Sequence, residues 1–352
     1  MVLAAPLALW VIPVGDSGGV ARHVRDVLRV GIPGWRVVVA CPPGPLADDL
    51  RKAGHPVVEA QIGPHAGLPA SVRAVRRLCS SLRPSIVHTH LSYADVVAAV
   101  AVPRGIKLVT TEHGLAGDDT VYHGTSAKSK VMAGVHTARL RRFAAAIAVS
   151  QATATVMKRK WHASTPITVI PNGIDRSASP ARREPGSQYG SLSRLAPEKR
   201  IGELLRAFAD VLTADPEAHI TVAGDGHLAD QLASEAVRHG VDERVDFPGF
   251  VDPVEFARKI DVVAQLSVWE NCSYTLLDAI IAGQGVVASA VGGNPEILPP
   301  QCLVDPEQPS QVAQALFAQA QQPNLRPELP DNWPTVSDMT KRIADIYTEV
   351  TR

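Results

Sequence analysis

The sequence predicts an α/β protein built from two doubly wound, parallel-sheet domains. Three observations carry that expectation. The chain has 352 residues, about two domains' worth at roughly 100 to 200 residues each. Apolar runs of strand length recur between longer helix-like stretches, and they are continuous rather than alternating, as in strands covered on both faces. The series then begins again after a stretch rich in Pro, Gly, Ser and Arg.

The first series comprises residues 7–14, 35–41, 86–90, 107–112, 145–149 and 167–170. Residues 172–187 form the Pro/Gly/Ser/Arg-rich stretch. The second series follows at 190–195, 219–223, 245–247, 262–266, 285–288 and 302–304. The expected division is an acceptor-side domain over 1–171 and a second domain over 172–334. A last helical stretch, 335–350, follows Pro-rich 321–334 and belongs to neither series. The segment 335–352 is therefore expected to cross back and brace the first domain. Two such lobes are expected to face a cleft, and ligands of open α/β sheets bind beyond the carboxyl ends of the strands.

Composition excludes several classes. Hydrophobic residues make up 45% and charged residues 20%, which is enough apolar material for real cores and too little charge for a disordered chain. Lys+Arg and Asp+Glu balance at 35 each, so a surface built to coat nucleic acid is not expected. Cys41, Cys79, Cys272 and Cys302 lie far apart without a CxxC pair; neither a zinc knuckle nor a disulfide framework can be read from them. A reducing cytoplasm fits that usage. Residues 2–14 are apolar but lack a charged leader and fall short of the roughly 20 residues of a membrane helix, so they read as a buried first strand.

Three strand-to-helix turns carry the polar chemistry. Gly15-Asp16-Ser17-Gly18-Gly19-Val20 follows the first strand, where glycines let backbone N–H groups and a helix N-terminus approach an anion. The spacing matches neither GxGxxG nor a Walker loop, and a plain tight turn would look similar. Ser193-Arg194-Leu195-Ala196-Pro197-Glu198-Lys199-Arg200 opens the second lobe with cations suited to a pyrophosphate, Arg as a bidentate fork and Lys as a point charge. A solvated basic loop is the alternative. The third turn, Trp269-Glu270-Asn271-Cys272-Ser273-Tyr274-Thr275-Leu276-Leu277-Asp278-Ala279, sets two carboxylates on either side of a helix start, an arrangement suited to sugar hydroxyls beside a phosphate.

Taken together these residues resemble the GT-B glycosyltransferases, specifically glycosyltransferase family 4, whose members transfer a sugar from a nucleotide-diphosphate donor with retention of configuration. Further strings stand in the family's order: Ile86-Val87-His88-Thr89-His90, Thr111-Glu112-His113-Gly114, Ala148-Val149-Ser150, Ile170-Pro171-Asn172-Gly173-Ile174-Asp175, Ala223-Gly224-Asp225-Gly226 and Phe247-Pro248-Gly249-Phe250. The resemblance covers nearly the whole chain. It implies that Gly18 or Gly19 approaches the donor pyrophosphate and that Arg194 and Lys199 bind it. Glu270 resembles the first acid of the family's E-x7-E element, beside the donor sugar with the backbone of Cys272, Ser273, Tyr274 and Thr275. Asp278 takes the second acid's place, at the ribose, and His113 matches the histidine set against the donor sugar. Two departures stand out: Asp278 where the family usually has Glu, and Asn271-Cys272-Ser273 where it has Gly-Phe-Gly. One methylene fewer shortens the reach by ~1.5 Å.

The resemblance implies a donor used as substrate rather than a cofactor, and no metal is expected. His88 and His90 form an HxH pair whose side chains share one strand face, yet no acidic or Cys partner is identifiable, so both read as structural. Between Val121 and Thr168 stand Lys128, Lys130, Arg139, Arg141, Arg142, Lys158, Arg159 and Lys160, without an Asp or Glu. With Val131, Met132, Phe143 and Trp161 among them, this segment suits an anionic lipid surface or a polyprenyl-phosphate acceptor. The expected function is therefore a retaining hexosyltransferase, cytoplasmic with peripheral contact to an anionic membrane, acting on a lipid-linked or cell-surface glycan or glycolipid. A small soluble acceptor such as a natural product or an inositol-like polyol is the alternative; a nucleotide-sugar epimerase and a nucleotide-sugar-binding pseudoenzyme are the others.

Overall fold

The computed structural model describes residues 5–114, 126–176 and 184–352, with 126–131 as helix backbone only. Two compact units make up the chain: Met1–Asp175 with Pro334–Arg352, and Arg176–Trp333. Among the described residues no helix is long and apolar enough to cross a membrane.

The first unit holds seven strands, β1 (Leu7–Val11), β2 (Arg36–Cys41), β3 (Val57–Glu59), β4 (Ile86–His90), β5 (Lys107–Glu112), β6 (Ala145–Ala148) and β7 (Ile167–Val169). Helices α1 (Gly19–Val30), α2 (Pro45–Lys52), α3 (Leu68–Leu82), α4 (Ser92–Ala101), α5 (Ser126–Leu140) and α6 (Gln151–Trp161) alternate with them. The sheet order is β3-β2-β1-β4-β5-β6-β7 and every pairing is parallel. Successive β1 side chains point to opposite faces. Ala8 and Trp10 enter a core with Ala21, Val24 and Val27 of α1, whereas Leu9 and Val11 enter a second core with α3 and α4. Continuous burial on both faces is why β1 reads as an unbroken apolar run.

The second unit repeats the plan with β8 (Gln188–Leu192), α7 (Ile201–Ala214), β9 (His219–Ala223), α8 (Ala229–His239), β10 (Val245–Gly249), α9 (Pro253–Lys259), β11 (Val262–Gln265), α10 (Tyr274–Ile281), β12 (Gly285–Ser289), α11 (Asn294–Ile297), β13 (Leu303–Val304) and α12 (Pro309–Gln321). Its parallel sheet runs β10-β9-β8-β11-β12-β13. In each unit the strand order reverses beside the first strand, between β1 and β4 and between β8 and β11. Those are the topological switch points where open α/β sheets hold ligands.

The last helix, α13 (Val336–Thr351), belongs to the first unit. It starts at a capping box of Thr335 and Asp338 and buries Met339, Ile343 and Tyr347 against the Trp10 face. The outgoing and returning chains meet there: Ile174 N–H donates to Pro334 O at 3.1 Å. Gly173 allows it, since a Cβ at that position would meet Thr335 O at 2.5 Å.

The strands differ from the sequence expectation most at β1, which ends at Val11 rather than 14, and at β3 and β8. Strand β3 went unpredicted because its three residues sit partly exposed at the sheet edge, without an apolar run. Strand β8 ends at Leu192 rather than 195; Leu195 is apolar because it packs in the second unit's core, and its N–H donates to Asp225 O.

Candidate active site

At the first unit's switch point the glycine turn has two different halves. Gly15 is pressed against the β2–α2 connection: its carbonyl accepts from Leu46 N–H at 2.9 Å, and a Cβ there would meet Pro43 O at 2.7 Å. Gly18 caps α1 without a side-chain hydrogen bond, at an ordinary φ of −77°, and a Cβ on it would meet nothing within 4 Å among the described residues. Neither strain nor packing requires glycine at 18. Open space over an uncapped helix start suits a ligand's anion.

Behind that turn lies a group of histidines. His23 takes a place on the buried stripe of α1, beside Val24, and its Nδ1 lies 3.2 Å from Asn172 Oδ1. His88 and His90 leave β4 on one face with ring centroids 4.6 Å apart, and Trp10 packs against both. His113, just past β5, sets its Nε2 2.9 Å from His90 Nδ1.

His88 is tied into the fold. Trp10 Nε1–H donates to Tyr347 Oη at 2.7 Å, leaving the tyrosine proton for His88 Nδ1 at 2.6 Å. His88 must then donate from Nε2 to Thr111 Oγ1 at 2.8 Å. The order of donors fixes a neutral imidazole and links α13 to β1, β4 and β5. Burial pushes His23 down to about 4. Burial, and then neighbouring imidazoles, hold His88, His90 and His113 well below the usual histidine range. All four are neutral at pH 7.

The basic segment beyond β5 is only partly a surface. Arg139 of α5 is buried and paired with Asp95 of α4 and Glu112 of β5, with its guanidinium over the Trp161 ring at 4.8 Å. Arg142 donates to Val102 O at 2.8 Å, and Phe143 and Trp161 are core residues. That corrects the expectation that Arg139, Phe143 and Trp161 belong to the surface of this segment: Arg141, Lys158 and Arg159 are exposed, whereas Arg139, Phe143 and Trp161 are buried. The side chains of Lys128, Lys130 and Val131 lie outside the described residues.

At the second unit's switch point charges meet. After β8 the chain makes a single 3-10 turn, Pro197–Lys199, before α7. Lys199 Nζ lies 2.5 Å from Glu270 Oε1, both side chains keeping about a sixth of their surface exposed (17% and 15%). Backbone bonds hold the two loops in register: Val268 N–H donates to Glu198 O at 2.8 Å and Gly293 N–H to Glu270 O at 2.9 Å. Gly292 sits at φ +53°, and a Cβ there would fall 1.8 Å from Glu270 O, so only glycine lets that loop close. Ser273 caps α10 through Leu276 N–H and accepts from Gln265 Nε2 at 3.0 Å. Cys272, Ser273, Tyr274 and Thr275 thus form the helix start next to Glu270, and Asp278 lies half-buried one turn along.

Arg194 is placed differently from Lys199. Its side chain is 72% exposed and pairs with Glu198 at 2.7 Å. Of the residues marked in sequence, Lys199 and Glu270 are in contact, with Ser273 and Asp278 on the adjoining helix. His113 is joined to His90 and, through ring contacts, to His23. Sequence reasoning missed His23, Asn172 and Tyr347. A histidine on the apolar stripe of α1 was the available signal.

Comparison with known proteins adds the family. Residues 17–178 match the family model Glycosyltransferase Family 4, and residues 187–321 match Glycosyl transferases group 1. The first span contains Gly18, His23, His90 and His113; the second contains Arg194, Lys199, Glu270 and Asp278. The chain belongs to the GT-B glycosyltransferases of the family 4 type.

This glycosyltransferase is 28% identical over 320 residues to a glycogen synthase of Mycobacterium tuberculosis, covering 81% of this chain and 77% of that one. It is 26% identical over 325 residues to the 2-deoxystreptamine glucosyltransferase of Streptomyces kanamyceticus, with 83% and 84% covered. Anabaena HepE, crystallised with UDP-glucose, superimposes with a TM-score of 0.76 at 21% identity over 98% of both chains, a likeness of fold.

Proposed function

We propose that this glycosyltransferase is a retaining hexosyltransferase that moves a sugar from a nucleoside-diphosphate donor to a hydroxyl acceptor. The observation that carries the reading is the Lys199–Glu270 pair at the head of α10. A cation for a diphosphate, a carboxylate for sugar hydroxyls and a helix N-terminus stand at one switch point. The relatives named for glucosyl transfer and glycogen synthesis and the UDP-glucose complex of HepE support the same donor class.

In this mechanism the donor diphosphate takes over Lys199 and frees Glu270 for the sugar hydroxyls. Exchange of one anion for another keeps Lys199 paired, and the sugar hydroxyls donate hydrogen bonds to the Glu270 carboxylate in its place. Arg194 swings from Glu198 to the diphosphate, and the N-terminus of α10, at Cys272 to Thr275, contributes N–H groups. These cations and dipoles stabilise the leaving diphosphate as the glycosidic bond breaks. The acceptor oxygen attacks from the leaving-group face, and the departing phosphate oxygen takes its proton. The family resemblance assigns His113 a contact with the donor sugar, and Asp278 binds the ribose hydroxyls, through a water where its shorter side chain falls short.

A glycan or glycolipid acceptor is the first reading, with the exposed Arg141, Lys158 and Arg159 as its contribution to an anionic surface. Inward placement of Arg139, Phe143 and Trp161 favours a second reading, a small polyol acceptor. The test is a panel of UDP-, GDP- and ADP-sugars, each with glycan, lipid-extract and aminocyclitol acceptors, followed by proton NMR of the product anomer. An α-linked product from an α-linked donor is expected. Donor binding by calorimetry without turnover on any acceptor would leave a pseudoenzyme, and C-epimerised donor an epimerase.

A further inference from the structure

The transfer chemistry calls on His113 alone, yet the first unit brings three imidazoles together behind the glycine turn. We propose that His23, His90 and His113 form a binding site for one divalent transition-metal ion of the zinc or cobalt type. A ring nitrogen from each lies within 4.8 Å of the other two. Two imidazole nitrogens sharing a tetrahedral zinc at 2.0–2.1 Å stand about 3.4 Å apart, so side-chain rotation of an ångström or so closes the widest gap.

The hydrogen bonding shows what is missing. Asn172 Oδ1 can only accept, so His23 carries its proton on Nδ1 and leaves a lone pair on Nε2. Among the described residues that buried Nε2 has no hydrogen-bond partner, and neither has Nε2 of His90. The His90–His113 contact holds a single proton between two nitrogens. When His90 donates it from Nδ1, both orphaned Nε2 atoms present lone pairs, and one cation satisfies them together. His113 then exchanges a hydrogen bond for a coordinate bond. Asn172 supplies the outer hydrogen bond by which ligating histidines are oriented.

The donor set selects the ion. Three imidazoles suit zinc, cobalt or copper and give nothing to magnesium or calcium, which take oxygen ligands. Three protein ligands leave the fourth position for water or an incoming oxygen. An ion held there takes His113 out of use, so loading inhibits transfer. That consequence rests on the proposed role of His113, whereas metal binding does not.

The test uses the full chain without an affinity tag, stripped by a chelator and titrated with Co2+ in the visible range. One equivalent should give the intense d–d bands of a four-coordinate site, displaced by Zn2+ and unaffected by millimolar Mg2+. His23→Gln and His90→Gln should each weaken Co2+ binding at least tenfold. Counting coupled imidazole nitrogens by pulsed EPR of the Cu2+-loaded wild type gives the same answer without substitution, and three are expected. Absence of Co2+ binding at 0.1 mM, octahedral bands of low intensity, or fewer than three coupled imidazoles would overturn the site. Donor turnover with and without Zn2+ is read separately; unchanged turnover at full loading overturns the inhibition alone.

Discussion

The two switch points share a topology and use opposite electrostatics. Beside β1 the polar groups are neutral, sealed and mutually dependent, with His23, His88 and His90 essentially without solvent. Beside β8 they are charged and reachable, Lys199 and Glu270 both keeping a wet edge. Desolvation explains the split: an imidazole can shed its charge on burial at modest cost, whereas a lysine and a glutamate keep theirs only as a pair close to water. A doubly wound sheet fixes where a ligand goes, and the depth of burial fixes what kind of chemistry can wait for it.

The broadest way to break this contrast is acid. Four histidines with depressed pKa values contribute stability that is complete above about pH 6.5. It is lost as pH falls, because the unfolded chain takes up protons that the folded one refuses. Each costs about 1.4 kcal/mol per pH unit over that window, so urea unfolding of the first unit at pH 5.5 should lose roughly 5 to 6 kcal/mol relative to pH 7.5. An equal loss in a Tyr189 or Phe208 probe of the second unit would place the acid sensitivity elsewhere.

Charge removal at the other switch point should act on rate. Glu270→Gln and Lys199→Ala should each lower turnover by about 2 to 4 kcal/mol of transition-state stabilisation, with unchanged urea midpoints. Arg194→Ala should cost less, since a side chain that is mostly in solvent and held by Glu198 is less preorganised. A rate loss for Arg194→Ala matching that for Lys199→Ala would reverse that ranking.

Asp278→Asn should weaken donor affinity by about 1 to 3 kcal/mol through a degraded charge-assisted hydrogen bond. Turnover at saturating donor should change less, because a ribose contact is made in ground and transition states alike; calorimetry alongside initial rates separates the two. Tyr347→Phe removes one hydroxyl that serves both Trp10 and His88, and about 1 to 2 kcal/mol of stability should go with it. Smallest of all, neutralising Arg141, Lys158 and Arg159 should loosen attachment to anionic vesicles by up to about 1 kcal/mol per charge. Binding that is absent, or equal on neutral vesicles, would favour the small acceptor.

The fold was legible wherever burial on both faces left a continuous apolar run, and illegible at β3, where three half-exposed residues leave no pattern. The loops bearing Lys199 and Glu270 were each marked by composition, but their contact spans 71 residues and belongs to tertiary structure. His23 was hidden for a similar reason, its orientation being set by Asn172, 149 residues away. The basic segment shows the converse failure. A tally of cations between 121 and 168 could not reveal that Arg139 turns inward, because Asp95 and Glu112, which neutralise it, lie upstream of the counted window.

The closure of residues 173–175 upon 334–336 has a consequence for the order in which the protein is made. The first unit lacks Tyr347 and the α13 face of its core until the whole of the second unit has been translated. At about 5 to 20 residues per second that wait lasts on the order of 10 to 35 s. The second unit is sequence-contiguous and can finish folding while the first stands open along its Trp10 face. A nascent chain halted near residue 333 should therefore present a native second unit beside a first unit that recruits a chaperone, and releasing the last helix should let it go.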